Sequence, residues 1–159
     1  MHRIGAMKRS WDAETIGSHL NWKQFEELAE QAFRSFGFET TRNLRFRKPT
    51  MEIDLLARSR NIAFAVDCKH WKRTVGNATM TRIASLQTKR SERVFEFCEC
   101  DRVMPVILTL HDEMLHFLES GVAVVPIQKI SDFVLNWESY RDSICVLEPR
   151  GERQTKLAV

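Results

Sequence analysis

The sequence predicts an α/β fold, an α-β-α sandwich whose mixed central sheet has an antiparallel hairpin followed by parallel strands. Two strand-like runs, Met51–Ala57 and Ile62–Lys69, are separated by little more than "RSRN", which is typical of a β-hairpin. Two later apolar runs, "RVMPVILTL" and "VAVVPIQ", flank a segment that we interpret as a helix. Strands joined through a helix are most simply parallel neighbours.

The first half of the chain begins with a clear helix. Asn21 and Gln24 have the spacing of a capping box, and Gly37 stands where a glycine often ends a helix. Apolar residues recur between them at helical spacing, namely Trp22, Phe25, Leu28, Ala29, Ala32, Phe33 and Phe36. "FETTRNLRF" then predicts a strand, and Pro49 marks a break before the hairpin.

The second half alternates helices and strands. "ATMTRIASLQTKRSERVFEF" predicts a helix with a basic outer face, and Arg102–Leu110 predicts a buried strand. We expect "HDEMLHFLESG" to form a short helix closed by Gly121. "VAVVPIQ" is the next strand, and "ISDFVLNWESYRD" predicts an amphipathic helix with Ser131 as its cap.

Length and composition predict one domain. The 159 residues divide into an N-terminal extension (1–18), a single domain (19–148) and a polar tail (149–159) that we expect to be disordered. The net charge of +3 permits an anionic partner without demanding one. No apolar run resembles a membrane span or a signal peptide, so we expect a cytoplasmic protein without membrane partners.

The four cysteines do not form a zinc pattern. Cys98 and Cys100 make a C-x-C pair, whereas zinc sites usually repeat a C-x-x-C spacing, and no such repeat is present. Cys68 lies inside an apolar run, where a thiol behaves as a small hydrophobe. We therefore expect reduced thiols.

The hairpin carries charges where burial makes them costly. Asp67 and Lys69 share one face of their strand because side chains alternate. Asp54, on the preceding strand, falls on the same face if the hairpin loop has two or four residues, and on the other face if it has three. Two adjacent carboxylates repel, and a divalent cation removes that repulsion. Magnesium is bound by one or two carboxylates with waters and a phosphate.

A third carboxylate is a candidate for the same site. Glu26 lies at the edge of the apolar stripe of the first helix, four residues after Trp22 and seven before Phe33, so it lies next to both on the helix surface. Glu27 and Glu30 lie nearer the polar side. On spacing alone, Glu26 is equally well read as a solvated helix residue.

Basic residues flank this acidic cluster, and their clustering there favours an anionic partner such as DNA, whereas each run alone is more often a solvated face. The candidate contacts, by position along the chain, are Arg42, Arg45, Arg47, Lys48, His70, Trp71, Lys72, Arg73, Arg82 and Lys89, with Arg90 and Arg93 on the same helix as the last two. Such contacts position a duplex through its phosphates. His70 points away from Asp67 by alternation, which disfavours a role as general base. We expect His111 and His116 to be structural.

The order "FEELAEQAFRSFGFE", "EID" and "VDCK" resembles the PD-(D/E)XK nuclease superfamily, in particular the Mrr-like restriction endonucleases and the archaeal Holliday junction resolvases. The resemblance covers Asn21 to about Arg73. It implies a restriction-endonuclease-like fold, with Asp54 as the motif aspartate and Asp67 and Lys69 as the (D/E)-x-K pair. Ile53 replaces the proline of the motif, and Asp67 replaces the glutamine or glutamate of the two groups, which leaves the subfamily open.

The resemblance implies a function as well as a fold. It implies a Mg²⁺-dependent endonuclease that hydrolyses DNA and leaves 5′-phosphates, with Mn²⁺ as a substitute metal. It assigns the metal to Asp54, Asp67, Glu26 and the Cys68 carbonyl. Many relatives are homodimers, and the apolar face of the last helix (Phe133, Val134, Trp137) is either an interface or core. A non-catalytic DNA-binding or scaffold protein, and an α/β protein with an incidental D-x-K, remain as alternatives.

Overall fold

A six-stranded mixed sheet between helices forms the body of the computed structural model, which describes residues 20–71, 73, 75–110 and 114–149. The elements, in chain order, are α1 (Trp22–Ser35), β1 (Glu39–Phe46), β2 (Met51–Ser59), β3 (Ile62–Lys69), α2 (Asn77–Phe97), β4 (Arg102–Thr109), β5 (His116–Phe117), β6 (Ala123–Pro126) and α3 (Ile130–Asn136). Short 3₁₀ helices, Ile127–Lys129 and Trp137–Tyr140, flank α3. The predicted N-terminal extension and most of the polar tail lie outside the described residues.

The sheet has the strand order β1-β2-β3-β4-β6-β5. β1, β2 and β3 pair antiparallel, β3, β4 and β6 pair parallel, and β5 returns antiparallel at the edge. The helix α2 crosses over between the parallel neighbours β3 and β4, as a parallel connection requires. The predicted mixed sheet is therefore confirmed.

Helices cover both faces of the sheet, which confirms the α-β-α sandwich. The buried residues of α1 and α3 pack on one face around Phe64 of β3, whose ring lies 5.7 Å from Phe33 and 5.5 Å from Phe133. α2 covers the other face, where its buried Val94 contacts the small side chains Ala63 and Ala65. Tilted aromatic pairs of this kind contribute about 1 kcal/mol each beyond the burial of their area.

The start of α1 follows the sequence closely. The Asn21 side chain accepts a hydrogen bond from the Gln24 backbone N–H at 2.9 Å, and the Gln24 side chain accepts one from the Asn21 N–H at 2.9 Å. This capping box satisfies two backbone donors that the helix itself leaves unpaired. After Ser35 the chain turns at Gly37, which has a φ of 84°. The predicted helix and its two boundaries are confirmed.

The prediction of a helix over "HDEMLHFLESG" is wrong for the residues that the structure describes. His116 and Phe117 form β5, paired with β6, and Gly121 closes the turn of this β5–β6 hairpin. The Gly121 N–H donates to the Leu118 carbonyl at 2.8 Å, and Gly121 has a φ of 82°. The glycine therefore ends a β-turn and not a helix, and β4 and β6 are parallel neighbours without a described helix between them. His111 lies outside the described residues.

The last helix begins earlier than the sequence suggests. The sequence predicts Ser131 as its cap, but Ser131 is the second residue of α3, and Lys129 occupies the cap position without a side-chain hydrogen bond. The 3₁₀ helix Ile127–Lys129 supplies the first turn instead. Of the two options for its apolar face, the structure selects core, because Phe133, Val134 and Trp137 are all buried in the same cluster as Phe64.

No helix among the described residues has both the length and the apolar character needed to cross a membrane.

Three glycines provide a graded test of the backbone. An added Cβ at Gly121 would lie 2.8 Å from the Cys145 backbone nitrogen, at a φ of 82°. Gly37 has a φ of 84° but open space around it, and Gly76 has open space and an ordinary φ of −67°. Because a left-handed backbone costs an L-residue about 1–2 kcal/mol, we expect Gly37→Ala to lose about 1 kcal/mol and Gly121→Ala to lose about 2 kcal/mol or more. Gly76→Ala should lose less than about 1 kcal/mol.

Urea unfolding of the three variants measures this order. Equal losses at Gly121 and Gly76 would contradict the close approach of the β5–β6 turn to Cys145.

Candidate active site

The hairpin between β2 and β3 has the register that brings the candidate carboxylates together. Ser59 pairs with Ile62, so the loop consists of Arg60 and Asn61 only, and Arg60 takes the left-handed φ of 50° that such short turns need. A loop of two residues is one of the lengths at which Asp54 shares a face with Asp67. Leu55 pairs with Val66, and continuing this register by one residue sets Asp54 opposite Asp67.

Asp67 and Lys69 form a close ion pair, as their shared face predicts. The Lys69 Nζ lies 2.9 Å from Asp67 Oδ2 and donates a hydrogen bond to Oδ1 at 3.1 Å. The Asp67 side chain is buried, with 6% exposed, whereas Lys69 has 21% exposed. The buried Oδ2 has the Lys69 ammonium as its close contact. Among the described residues, the charge of Asp67 is therefore held inside the protein by a single close ammonium group.

Asp54 lies where β2 separates from β3. The backbone pairing of these strands extends to Leu55 and Val66, and beyond it the Cys68 backbone N–H donates to Asp54 Oδ2 at 2.7 Å. A side-chain carboxylate thus takes the place of a backbone carbonyl as the partner of Cys68. Because the donor is a peptide group of β3, the position of Asp54 relative to Asp67 is fixed by the backbone.

At Asp54 the regular alternation of side chains between the two faces of the sheet is interrupted, in β2 and in the neighbouring β1. Leu55 packs with α1 residues, whereas Ile53, two positions earlier, packs with α2 residues. Residues two apart share a face in a regular strand, so β2 must rotate at Asp54. Opposite it in β1, between the paired Arg42 and Leu44, Asn43 has a φ of 52°. The left-handed Asn43 and the rotated Asp54 therefore form one irregularity across two strands.

Burial and the neighbouring carboxylate change the protonation of Asp54. The pKa of Asp54 is raised from its ordinary 3.8 to about 7, by burial first and then by the charge and hydrogen bond of Asp67, against the lowering effect of the Cys68 N–H and of Lys69. Two carboxyl groups that face each other cannot both ionise cheaply. Perturbed groups of this kind cluster at functional sites.

Glu26 is buried and not solvated, but its carboxylate is already engaged. The Trp22 indole N–H donates to Oε1, and Arg42 Nη2 donates to Oε2 at 3.0 Å. Glu26 lies on the α1 side, close enough to the Cys68 thiol to help raise the pKa of that thiol, after burial and Asp54. Among the described residues, no three His, Cys, Asp or Glu side chains form a metal-binding group. The structure brings Asp54 and Asp67 together and does not bring Glu26 into the same group.

The predicted DNA-contacting residues differ in how free their charges are. Arg42 is half-buried, and besides Glu26 it lies 3.9 Å from both Glu27 and Glu30, so its charge is directed at α1. Arg45 pairs with Glu52 at 3.1 Å on the surface. The exposed members are Arg47, Lys48, Arg73, Arg82 and Lys89. Lys72 lies outside the described residues. These DNA contacts remain predictions.

His70 and Trp71 pack against the protein. The His70 ring nitrogen Nε2 bonds to the Leu20 carbonyl, and the ring lies 6.0 Å from Phe25 of α1. His70 therefore points away from Asp67, as alternation predicts. Trp71 is half-buried beside Val75 and a buried cluster that includes Met80 of α2, which is the packing role expected of a lone tryptophan.

Arg90 contacts Asp67, and the sequence does not predict this contact. The Arg90 Nη1 lies 3.5 Å from Asp67 Oδ1, and its side chain is 28% exposed. The buried Gln87, one turn earlier, donates to the Ala65 carbonyl at 2.7 Å and fixes α2 over β3. Arg90 lies at the border of the buried face of α2, three residues after Gln87, and that spacing is the signal that marks it.

All four cysteines are free, and Cys98 and Cys100 are buried. Burial and the neighbouring Cys98 raise the pKa of Cys100 to about 12. A thiol with so high a pKa is neutral at physiological pH, which agrees with the expectation of reduced, structural thiols.

Comparison with known proteins shows similarity to an uncharacterized protein and to a solved structure of a protein of unknown function. A 124-residue alignment with an uncharacterized protein of Archaeoglobus fulgidus is 27% identical and covers 76% of this chain and 95% of the relative. A crystal structure of a protein of unknown function is similar over 53% of this chain, at 20% identity and a TM-score of 0.43. This chain spans 44% of the length of that second protein.

A family model identifies the region that carries the site. The model Mrr_cat, described as a restriction endonuclease, matches residues 18–98, which is just over half of the 159 residues. The matched region runs from the start of α1 to the end of α2 and includes Asp54, Asp67 and Lys69. With its six-stranded mixed sheet between helices, the chain belongs to the Mrr_cat family of restriction endonucleases.

Proposed function

We propose that this protein is a Mg²⁺-dependent endonuclease that hydrolyses phosphodiester bonds in DNA. The observation that carries the proposal is that two carboxylates and a lysine lie together where β2 separates from β3. Asp54 is close enough to Asp67 to share a side-chain hydrogen bond with it, and Lys69 Nζ lies 2.9 Å from Asp67 Oδ2. Family membership supports the nuclease class.

The two carboxylates repel each other, and a magnesium ion bound between them would remove that repulsion. Asp67 is a buried carboxylate whose Oδ2 lies 2.9 Å from the Lys69 ammonium, and Asp54 beside it has its pKa raised to about 7 by burial and by Asp67. A divalent cation between them would neutralise both charges. Magnesium commonly takes one or two carboxylates and completes its octahedron with waters and phosphate oxygens, so a third carboxylate is not required. The Cys68 carbonyl is the proposed additional ligand, and Glu26 would join it only on release from its present hydrogen-bond partners.

The chain's own residues supply position and charge. Asp54 and Asp67 would hold the metal, and bound Mg²⁺ would lower the pKa of a water and stabilise the charge on the scissile phosphate. Lys69, with its ammonium beside Asp67, would donate hydrogen bonds to that water or to a phosphate oxygen. The water oxygen attacks phosphorus and the P–O3′ bond breaks, which leaves a 5′-phosphate and a 3′-hydroxyl.

A second function has one observation in its favour. Both oxygens of Glu26 are bound by Trp22 and Arg42, so the carboxylate of α1 is engaged within the protein. A DNA-binding or scaffold protein without catalysis is the alternative that this arrangement supports. Restriction, repair and junction resolution are distinguished by the DNA that is cut.

A cleavage panel separates the two functions. We expect the wild type to cut at least one of linear, nicked, flapped and four-way DNA in Mg²⁺ or Mn²⁺. Asp67→Asn and Lys69→Gln should each reduce the rate by about 100-fold or more, because each removes a group at the scissile phosphate. The rate is measured on labelled DNA under single-turnover conditions.

Two exposed residues provide matched controls. Asp142→Asn and Lys129→Gln make the same chemical changes at exposed positions outside the β2–β3 hairpin, and both should retain the wild-type rate. DNA binding should persist in all four variants. Binding by the wild type without cleavage of any substrate would favour the non-catalytic function.

The raised pKa of Asp54 predicts a specific pH dependence of stability. Because the folded pKa is about 7 and the ordinary value is 3.8, the native state holds a proton that the unfolded state has lost between these values. The free energy of unfolding therefore falls as pH rises from about 4 to about 7. Asp54→Asn removes the charge, keeps the acceptor for Cys68, and should be more stable than wild type at pH 8 by roughly 1 kcal/mol or more.

Denaturant unfolding from pH 5 to pH 8 measures this difference, which should be clearly smaller at pH 5 than at pH 8. Mg²⁺ should raise the melting temperature of the wild type more at pH 8 than at pH 5, since the metal binds ionised carboxylates. It should leave Asp54→Asn unchanged. A pH-independent difference between the two proteins would contradict the assigned environment of Asp54.

A further inference from the structure

An open groove of about 510 Å³ lies beside the acidic pair, between α2 and the turn that joins β1 to β2. Its charged lining consists of Arg45, Glu52, Lys89 and Arg90. Arg45 and Glu52 pair with each other at 3.1 Å on the rim, so the charge that remains is that of Lys89 and Arg90. The groove is therefore positive, and Arg90 connects it with Asp67.

Arg90 is held loosely. Its Nη1 lies 3.5 Å from Asp67 Oδ1, beyond the 2.7–2.9 Å usual for a charge-assisted hydrogen bond, whereas Lys69 reaches Asp67 at 2.9 Å. Asp67 is its one ion-pair or hydrogen-bond partner within the described part of the chain. Since a guanidinium has five N–H donors in a planar fork, most of its donors remain available to a ligand.

The backbone beneath Arg90 is rigid by comparison. Gln87 is fully buried and bonded to the Ala65 carbonyl, and Ser91 is fully buried and donates to the Gln87 carbonyl at 2.8 Å. The base of the side chain is therefore fixed against β3, two residues from Asp67, while its head reaches the mouth of the groove. This is the geometry of a preorganised binding group and not of a freely moving surface arginine.

We propose that Arg90 binds a phosphate of the substrate strand next to the scissile phosphate, and that the groove along Lys89 is the path of that strand. The guanidinium fork matches two oxygens of one phosphate, which is a better partner than a single carboxylate oxygen at 3.5 Å. Asp67 would then hold Arg90 in place until DNA binds. The inference rests on the proposed function, since it names the route of DNA to that site.

Binding without cleavage tests this role separately from catalysis. Arg90→Gln, Arg90→Lys and the wild type are titrated with a fluorescein-labelled linear duplex in EDTA, at several salt concentrations, and anisotropy reports the Kd. Arg141→Gln is the matched control, because it removes one positive charge from the exposed end of the last 3₁₀ helix. Urea unfolding confirms that every variant is folded.

We expect Arg90→Gln to raise Kd by about tenfold and to reduce the slope of log Kd against log salt by about one, the amount of one phosphate contact. Arg90→Lys should retain the slope and recover part of the affinity, since it keeps the charge and loses the fork. Arg141→Gln should leave both quantities near wild type. Equal behaviour of Arg90→Gln and Arg141→Gln would overturn the inference, as would a wild type that binds no DNA.

These outcomes differ from a failure of the proposed function. A wild type that binds DNA, loses affinity on Arg90→Gln and cleaves no substrate would contradict the endonuclease and support the phosphate contact. A wild type that cleaves, with unchanged binding in Arg90→Gln, would do the reverse.

Discussion

The hydrogen bond from the Cys68 backbone N–H to the Asp54 carboxylate is the interaction on which the candidate site depends. At 2.7 Å it joins β2 to β3 where their regular pairing has ended. A backbone carbonyl in that position would continue the ladder and leave no acidic group at the strand gap. With the carboxylate there, Asp54 is held opposite Asp67 by a peptide group that cannot rotate away, and the repulsion between the two carboxylates is retained in the fold.

Several features of the site follow from that one irregularity. β2 turns between Leu55 and Ile53, and β1 matches it at Asn43, whose φ of 52° costs energy that the flanking pairs must offset. The burial and repulsion that raise the pKa of Asp54 are a cost to the free protein that grows from about pH 4 and is complete above about pH 7. A bound metal ion would offset that cost. The metal-free protein is then less stable, but its metal ligands are already in position.

The sequence predicts much of this arrangement because its signals are local. The bounds of β3, the capping box of α1 and the shared face of Asp67 and Lys69 each depend on residues a few positions apart. The β5–β6 hairpin could not be predicted in this way, because a glycine such as Gly121 ends helices and tight turns alike. The pairing of β5 with β6 distinguishes the turn from the helix, and that pairing is not visible in the local sequence. Likewise, no local pattern shows that Arg42 binds Glu26, or that Arg90 reaches Asp67 across 23 positions of sequence. Those contacts depend on how the helices are placed on the sheet.

The protonation of Asp54 depends on the geometry of the acidic pair and on the presence of a metal ion, so it tests the site and the proposed function together. A carboxylate that faces Asp67 inside the protein must be hard to ionise without a cation, and easy to ionise with one. The most direct measurement is an NMR titration of the ¹³C-labelled aspartate side-chain carboxyls, with and without Mg²⁺. We expect a midpoint for Asp54 near 7 in the absence of divalent metal, and a marked fall when Mg²⁺ is added. A midpoint near the ordinary 3.8 that Mg²⁺ does not move would contradict a metal site built on the repulsion between Asp54 and Asp67.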